Sequence, residues 1–205
     1  MIVHVLPTAD QTAHRHLLDS MFEDRKHQFV DQLGWDVPVV DDRFEIDAYD
    51  NGDATYVVAG DAHGNHQGSL RLLPSRRPHI LGDLFPELCP FGVPRGAGIA
   101  EITRLCLPSR LGTARRLVVR NRLISAMVDH ALSIGLTHLT GVVTGRFRRD
   151  VLAMGWRAEP LGPEVAIGKS LLGAFMLHIG PDTTERLRWM GIYADGILRP
   201  HEEAA

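Results

Sequence analysis

The chain has 205 residues, 44% hydrophobic and 23% charged, with a formal net charge of −3, a make-up that fits one globular domain able to bury a sizeable core. No apolar run reaches the roughly 20 residues of a membrane span, and MIVHVLPTAD has no basic-then-apolar leader. Cys89 and Cys106 are too isolated for a disulfide framework or a zinc site and suit a reducing cytoplasm, the histidines lack ligand spacing so no metal is expected, and mild acidity without an aromatic-rich basic stripe argues against nucleic acid.

IVHVL (2–6) reads as a strand. Over about 10–32, Leu17, Leu18, Met21, Phe22 and Phe29 recur at helical spacing, followed by Leu33 and a terminating Gly34. Residues 34–53, GWDVPVVDDRFEIDAYDNGD, make an acidic loop of a length that is more often functional than idle. TYVVAGD (55–61) and HQGSLRLLP (66–74) alternate about a DAHGN turn as a hairpin, with Gly68 marking a bulge or a close backbone approach. HILGDLFPEL (79–88) is a short helix or turn, and IAEITRLCL (99–107) a strand stopped by Pro108. Thr113 caps a helix over about 114–133, with Leu117, Val118, Leu123, Ile124, Met127, Val128 and Leu132 apolar and Gly135 closing it. THLTGVVT (137–144) is a strand, 146–154 a helix ended by Gly155, SLLGAFMLHI (170–179) a strand and 183–190 a last helix. This order predicts the α/β class: a single domain built as a three-layer α/β/α sandwich around a mixed sheet.

The stretch 99–107 poses the functional question, because it buries Glu101 and Arg104 in a core strand, and an ion leaves water only at a cost of several kcal/mol unless paired. Strand alternation puts Glu101 and Thr103 on one face and Ile102 and Arg104 on the other, unless a bulge intervenes. Each charge therefore calls for its own partner. Arg25, Arg71 and the carboxylates of FEIDAYD (Glu45, Asp47 and Asp50) supply the signs, with Trp35, Phe44 and Tyr49 as aromatics a merely solvated loop does not need. SRLGTA (109–114) has the shape of an anion loop opening a helix, and loosely resembles the pyrophosphate loop of coenzyme A-dependent acetyltransferases; a plain capping turn is an equal reading. Arginines at 110, 115, 116, 120 and 122 and at 146, 148 and 149 are either solvated helix faces or a dock for an acidic or phosphorylated partner.

Taken in order, these motifs resemble the acyl-homoserine-lactone synthases, the autoinducer synthases of bacterial quorum sensing. Arg25, Phe29 and Trp35 match the family's N-terminal Arg, Phe and Trp, and Asp47 and Asp50 its two aspartates three apart. QGSLRLLPSRRPHILGDLFPEL matches its Gly-Ser-x-Arg-Leu-x-Pro block and places Arg71 and Phe85; AEITR matches Glu-x-Ser/Thr-Arg and places Glu101, Thr103 and Arg104. Ala100 and Leu105 stand where the family more often carries aromatics, a departure that bears on acyl-chain preference.

The resemblance implies a fold related to the acetyltransferases, divided into an N-terminal helix and loop of about 8–53 over the cofactor, a core of about 54–180 and a C-terminal helix and tail at 181–205. It implies a two-step reaction without a prosthetic group. S-adenosyl-L-methionine gives its α-amine to an acyl thioester, on acyl carrier protein or coenzyme A; the methionyl carboxylate then attacks its own γ-carbon, releasing methylthioadenosine and closing the lactone. An α-amine with a pKa of about 7.7–8.0 is mostly protonated at neutral pH; a carboxylate in the cleft can take its proton, directly or through one water, and Glu101 is the candidate. Asp47 and Asp50 would face the ammonium and sulfonium charges. Arg25 or Arg104 would hold the carboxylate or order the loop, Phe29 and Trp35 would pack on adenine, and Arg71 and Thr103 would complete the cofactor side. Phe85, Val142, Thr144 and Met154 are candidates for the acyl pocket, and Arg115, Arg116, Arg146, Arg148 and Arg149 for carrier docking. Three alternatives stay open in the sequence: a buried structural network in place of a catalytic set, another coenzyme A-dependent N-acyltransferase, and a non-catalytic module that binds a ligand or a carrier protein.

Overall fold

The computed structural model of the chain describes residues 1–196; the end of the tail, 197–205, lies outside the described residues. One sheet runs in the order β1 (Ile2–Leu6), β4 (Thr55–Gly60), β5 (His66–Pro74), β6 (Ile99–Cys106), β7 (His138–Thr144), β10 (Ser170–His178), β8 (Arg157–Pro160), with β9 (Val165–Ile167) paired to β10. β6 and β7 pair in parallel, while the pairings of β1 with β4, β4 with β5, β5 with β6 and β10 with its neighbours are antiparallel. The expected mixed sheet is present. β8 and β9 carry too little alternation to be read from sequence, and β2 (Val39–Val40) and β3 (Phe44–Glu45) form a separate two-stranded hairpin inside the acidic loop.

Alternation along the strands divides the core into two layers. On one face, Val57, Ala59, Leu70, Leu72, Ala100, Leu139, Phe175 and Leu177 pack under α4 (Gly112–Ser133), α5 (Gly145–Leu152) and α6 (Thr183–Trp189). α4 supplies Val119, Leu123, Met127 and Ala131, recurring every four residues as a core-facing stripe requires. Gly68 of β5 lets this helix sit close: a Cβ there would stand 2.5 Å from Val119 Cγ1, so the expected close approach is made by α4. On the other face, Tyr56, Val58 and Leu73 pack under α2 (Arg15–Arg25) and α3 (Ile80–Leu84), with Leu17, Leu18, Met21 and Ile80 coming from those helices.

Four local expectations are corrected. The N-terminal helix is broken: α1 (Thr8–Gln11), a 3₁₀ turn, then α2, which continues as a π-helix over Lys26–Gln32. Thr113 does not cap α4, whose preceding residue is Leu111 and whose start has no side-chain cap; the turn is made instead by Gly112 at a φ of 68°. Leu117 and Val118 are half exposed rather than core, because at about 100° per residue they lie off the side of α4 that Val119 and Leu123 turn to the sheet. Finally, β6 contains a bulge. Its register with β5 steps from Arg71↔Thr103 to Ser69↔Cys106, leaving an additional residue on β6, and Arg104 takes a left-handed φ of 52°.

β6 and β7 pair only from Ile99↔His138 to Glu101↔Thr140. Both strands continue beyond that point without pairing to each other, so the sheet is split next to Glu101.

Candidate active site

The bulge decides the geometry of the site. Strict alternation sends Arg104 to the face opposite Glu101 and Thr103; the inserted residue turns it back, so that Arg71, Thr103 and Arg104 all point to the α2 side. There the guanidinium groups of Arg25, Arg71 and Arg104 meet the carboxylates of Glu45, Asp47 and Asp50. Arg25 grips Asp50 with two parallel bonds of 2.9 and 2.8 Å and donates through Nε to Glu45 at 2.6 Å. Arg71 grips Asp47 in the same forked way at 2.7 and 3.0 Å, pairs with Asp50 at 2.7 Å, and donates from Nε to the Thr103 hydroxyl. Arg104 donates to Glu45 at 3.0 Å and to Asp47 at 2.6 Å. Tyr56 adds its hydroxyl to Asp50 at 2.8 Å, and the Asp47 N–H bonds Asp50 at 2.9 Å.

Three cations and three anions make this set neutral, which lets it be buried without a large net desolvation penalty. Arg25, Glu45, Arg71 and Asp50 are almost wholly enclosed, whereas Asp47 and Arg104 keep 7% and 10% of their side chains exposed. Burial alone would push the Asp50 carboxyl up, but Arg25 and Arg71 outweigh it and hold Asp50 well below the usual carboxylate range. Arg25 is the mirror case, since burial would lower it and Asp50 and Glu45 keep it above its ordinary value. Asp50 and Arg25 therefore stay ionised across the physiological range.

Glu101 is held differently. It is fully buried, and no arginine among the described residues bonds it, against the expectation that Arg25 or Arg71 neutralises it. The backbone N–H of Leu81, in the first turn of α3, donates to Oε1 at 2.9 Å, and the N–H of Ile80 pulls in the same sense. Oε2 has no hydrogen-bond partner among the described residues. Burial pushes the Glu101 carboxyl up to about 7, offset only in part by the two N–H groups and by the fields of Arg71 and Arg104. Glu101 and Thr103 alternate onto the same face of β6, and Thr103 touches Arg71, so the lone carboxyl borders the ionic set.

The aromatics complete one wall. Phe29 and Trp35 stack in parallel, with centroids 4.7 Å apart and planes at 10°, and the Arg104 guanidinium lies 5.7 and 5.8 Å from their rings. Phe29 is buried and Trp35 is 44% exposed, so one face of the stack is covered and the other is open. On the far side of Glu101, Leu81, Leu88, Cys89 and Ala174 form an apolar cluster that Phe85 and Val142 join.

The structure places three of the expected site residues in other surroundings or gives them other contacts. Met154 packs with Trp156 and Val151 under α4 and α5, on the sheet face away from Glu101, and so cannot line an acyl pocket there. Thr144 is exposed and caps α5, its hydroxyl accepting from the Phe147 N–H. Arg148 is buried, not a docking residue: it bonds the carbonyls of Gly162 and Ala174 and the Glu164 carboxylate at 3.1 Å. Arg115, Arg146 and Arg149 are exposed and Arg116 half-exposed, beside the exposed Leu117 and Val118.

The sequence model of the autoinducer synthase family matches residues 10–187, which include every member of the buried ionic set. The chain belongs to the autoinducer synthase family. This synthase is 36% identical over 178 residues to the acyl-homoserine-lactone synthase of Ralstonia nicotianae, covering 83% of this chain and 86% of that one. Among solved structures it is similar to the coenzyme A-dependent acyl-homoserine lactone synthase MesI, with a TM-score of 0.81, 28% identity and coverage of 95% and 100%. It is also similar to TofI in a ternary complex with an inhibitor and MTA, with a TM-score of 0.76, 30% identity and coverage of 92% and 97%. An acyl-CoA N-acyltransferase from Pseudomonas aeruginosa, 18% identical with a TM-score of 0.58 and coverage of 86% and 99%, shares the fold alone, which places the sandwich among acetyltransferase-type folds. As a member of its family the chain is an enzyme, an acyltransferase.

Sequence reasoning left several contributors to the synthase's cleft without a role. Glu45 was visible within FEIDAYD, but nothing in its spacing distinguishes it from a solvated acid. The α3 N–H groups carry no side-chain signal at all. Gln28 lies at an unremarked helical position, yet its amide reaches β6.

Proposed function

We propose that the synthase joins S-adenosyl-L-methionine to an acyl thioester and closes the product to an N-acyl-L-homoserine lactone, in the cytoplasm, with the segment of about 8–53 covering the cofactor side of a core of about 54–180. The observation that carries this reading is the contrast between three arginines and three carboxylates paired with one another and one buried carboxyl beside them, Glu101, that is held by backbone N–H and raised to about 7. A group with a pKa near 7 is matched to proton transfer at neutral pH. Glu101 takes the proton of the α-ammonium, directly or through a water, as the amine attacks the thioester carbonyl. The C–S bond breaks and the thiol leaves with a proton.

In the second step the methionyl carboxylate attacks the γ-carbon and the sulfonium departs as neutral methylthioadenosine. One negative and one positive charge vanish together, so no further base is needed, and a water-poor cleft favours the collapse. Asp47 and Arg104, the least buried of the ionic set, face the ammonium and carboxylate of the substrate. Asp50, Arg25, Arg71 and Thr103 fix their positions, and adenine packs on the open face of the Phe29–Trp35 stack. The acyl chain runs toward Phe85 and Val142. The donor is an acyl carrier protein or coenzyme A, and the exposed Arg115, Arg116, Arg146 and Arg149 suit the acidic carrier.

The test is to mix the protein with S-adenosyl-L-methionine and acyl thioesters of both carriers and follow free thiol and methylthioadenosine. Release of both is expected. Thiol release from another amine, without methylthioadenosine, would leave a different N-acyltransferase; neither product would leave a binding module.

A further inference from the structure

The π-helical turn that carries Phe29 toward the aromatic stack also faces β6, through side chains the reaction does not use. Asp24, Gln28 and Gln32, spaced four apart, all bond the short segment at 105–110 that follows the Arg104 bulge. Gln28 Nε2 donates to the Leu105 carbonyl at 3.1 Å, and its Oε1 accepts from the Leu107 N–H at 2.9 Å. Its primary amide thus does what a neighbouring strand's peptide would do, in a stretch of β6 where β7 no longer pairs. Gln32 donates to the Ser109 hydroxyl at 2.8 Å. Asp24 binds Arg110, with one contact at 2.8 Å, and the fully buried His66 at 2.6 Å, while Arg110 also donates to the His66 carbonyl.

The segment so held has the bulged Arg104 at one end and the start of α4 at the other. Its opposite neighbours on the same helix, Arg25 and Phe29, belong to the ionic set and the aromatic stack. One helix therefore touches the methionine-nucleoside side with one row of side chains and the strand exit on the thioester side with the next.

We propose that Gln28, supported by Asp24 and Gln32, is a positioning residue that ties these two sides of the cleft together, so that each substrate raises the affinity for the other. This rests on the two-substrate reading above. Ordering the shared helix for one ligand lowers the ordering cost for the second, and such coupling is reciprocal. A merely structural glutamine would change stability and leave the coupling alone.

The product pair gives an unreactive readout. Methylthioadenosine is titrated by calorimetry into the full-length protein, with and without the thiol product of whichever donor supports turnover, coenzyme A or holo acyl carrier protein. The wild type is expected to bind methylthioadenosine at least threefold more tightly with the thiol present. Gln28→Met is expected to lose that factor, and Gln28→Glu, which keeps the acceptor for Leu107 N–H, to retain part of it. Should Gln28→Met fail to fold, Gln32→Met, at an exposed anchor of the same row, is expected to lose part of the factor. A ratio of one in the wild type, or an undiminished ratio in the folded variants, overturns the proposal. A protein that releases no methylthioadenosine with any thioester fails the functional reading instead, so the two failures are told apart.

Discussion

Glu101 gathers most of the chemistry at the residue scale. Its carboxyl is raised from the ordinary value of 4.5 to about 7 because burial disfavours the charged form more than the two α3 N–H groups and the neighbouring arginines favour it. The folded protein then binds more protons than the unfolded chain between about pH 4.5 and 7, so this group's contribution to stability falls as pH rises through that window. At about 1.4 kcal/mol per pKa unit the full cost above pH 7 is on the order of 3 kcal/mol. Glu101→Gln, which preserves an acceptor for Leu81, is therefore expected to be more stable than wild type at pH 8 by a few kcal/mol or less, and to lose most amide formation. Denaturant melts at pH 5 and 8 check the first part, and the rate of thiol release checks the second. In the wild type, kcat/KM is expected to rise through about pH 7, the limb that Glu101→Gln removes. A variant that folds with the wild-type profile would take the base role away from Glu101.

At the scale of elements, the β6 bulge shows what a sequence conveys and what it withholds. Ile99, Ile102 and Leu105 announce a strand, and the buried Glu101 and Arg104 announce a problem for it, but alternation alone put Arg104 on the wrong face. No residue in AEITRL signals a left-handed φ; that conformation is imposed by the ion pairs Arg104 reaches when it is turned. α4 and the hairpin of β4 and β5 were legible because their apolar periods are long. β8, β9 and the partners of Glu101 were not, since short edge strands and backbone donors leave no side-chain pattern. Met154 and Arg148 failed for a related reason: linear proximity to the cleft says nothing about which face of the sheet a side chain meets. The bulge yields a direct prediction. A left-handed conformation costs a Cβ-bearing residue about 1 kcal/mol more than glycine. Arg104→Ala and Arg104→Gly both delete the guanidinium, yet Arg104→Gly is expected to be the more stable by about 1 kcal/mol in urea unfolding. Equal stabilities, or the reverse order, would mean that the strand relaxes out of the bulge once the ion pairs are gone.

Across the whole molecule, the two arginine clusters that look alike in sequence separate into different physical roles. Arg148 is spent inside, where it fastens the loop bearing Gly162 and Glu164 against β10; a Cβ on Gly173 would stand 2.6 Å from its guanidinium carbon. Arg146 and Arg149, on the same helix, point outward, as does Arg115 near the start of α4 next to Leu117 and Val118. Under the proposed reading with an acidic carrier as donor, the contribution of these exposed arginines would be electrostatic, therefore weak and sensitive to salt. With an acyl carrier protein as donor, the apparent KM is expected to rise several-fold between about 50 and 200 mM salt, beyond roughly one Debye length of screening. Arg146→Glu with Arg149→Glu is expected to raise it further while kcat holds, and to leave turnover of the corresponding coenzyme A thioester unchanged. Arg148→Ala behaves differently. It strands the Glu164 carboxylate and two carbonyls at a cost of about 2 kcal/mol, lowering the melting temperature and affecting both donors alike. If reversing Arg146 and Arg149 left the carrier KM where it was, the exposed arginines would be solvated helix faces and the carrier would have to dock elsewhere.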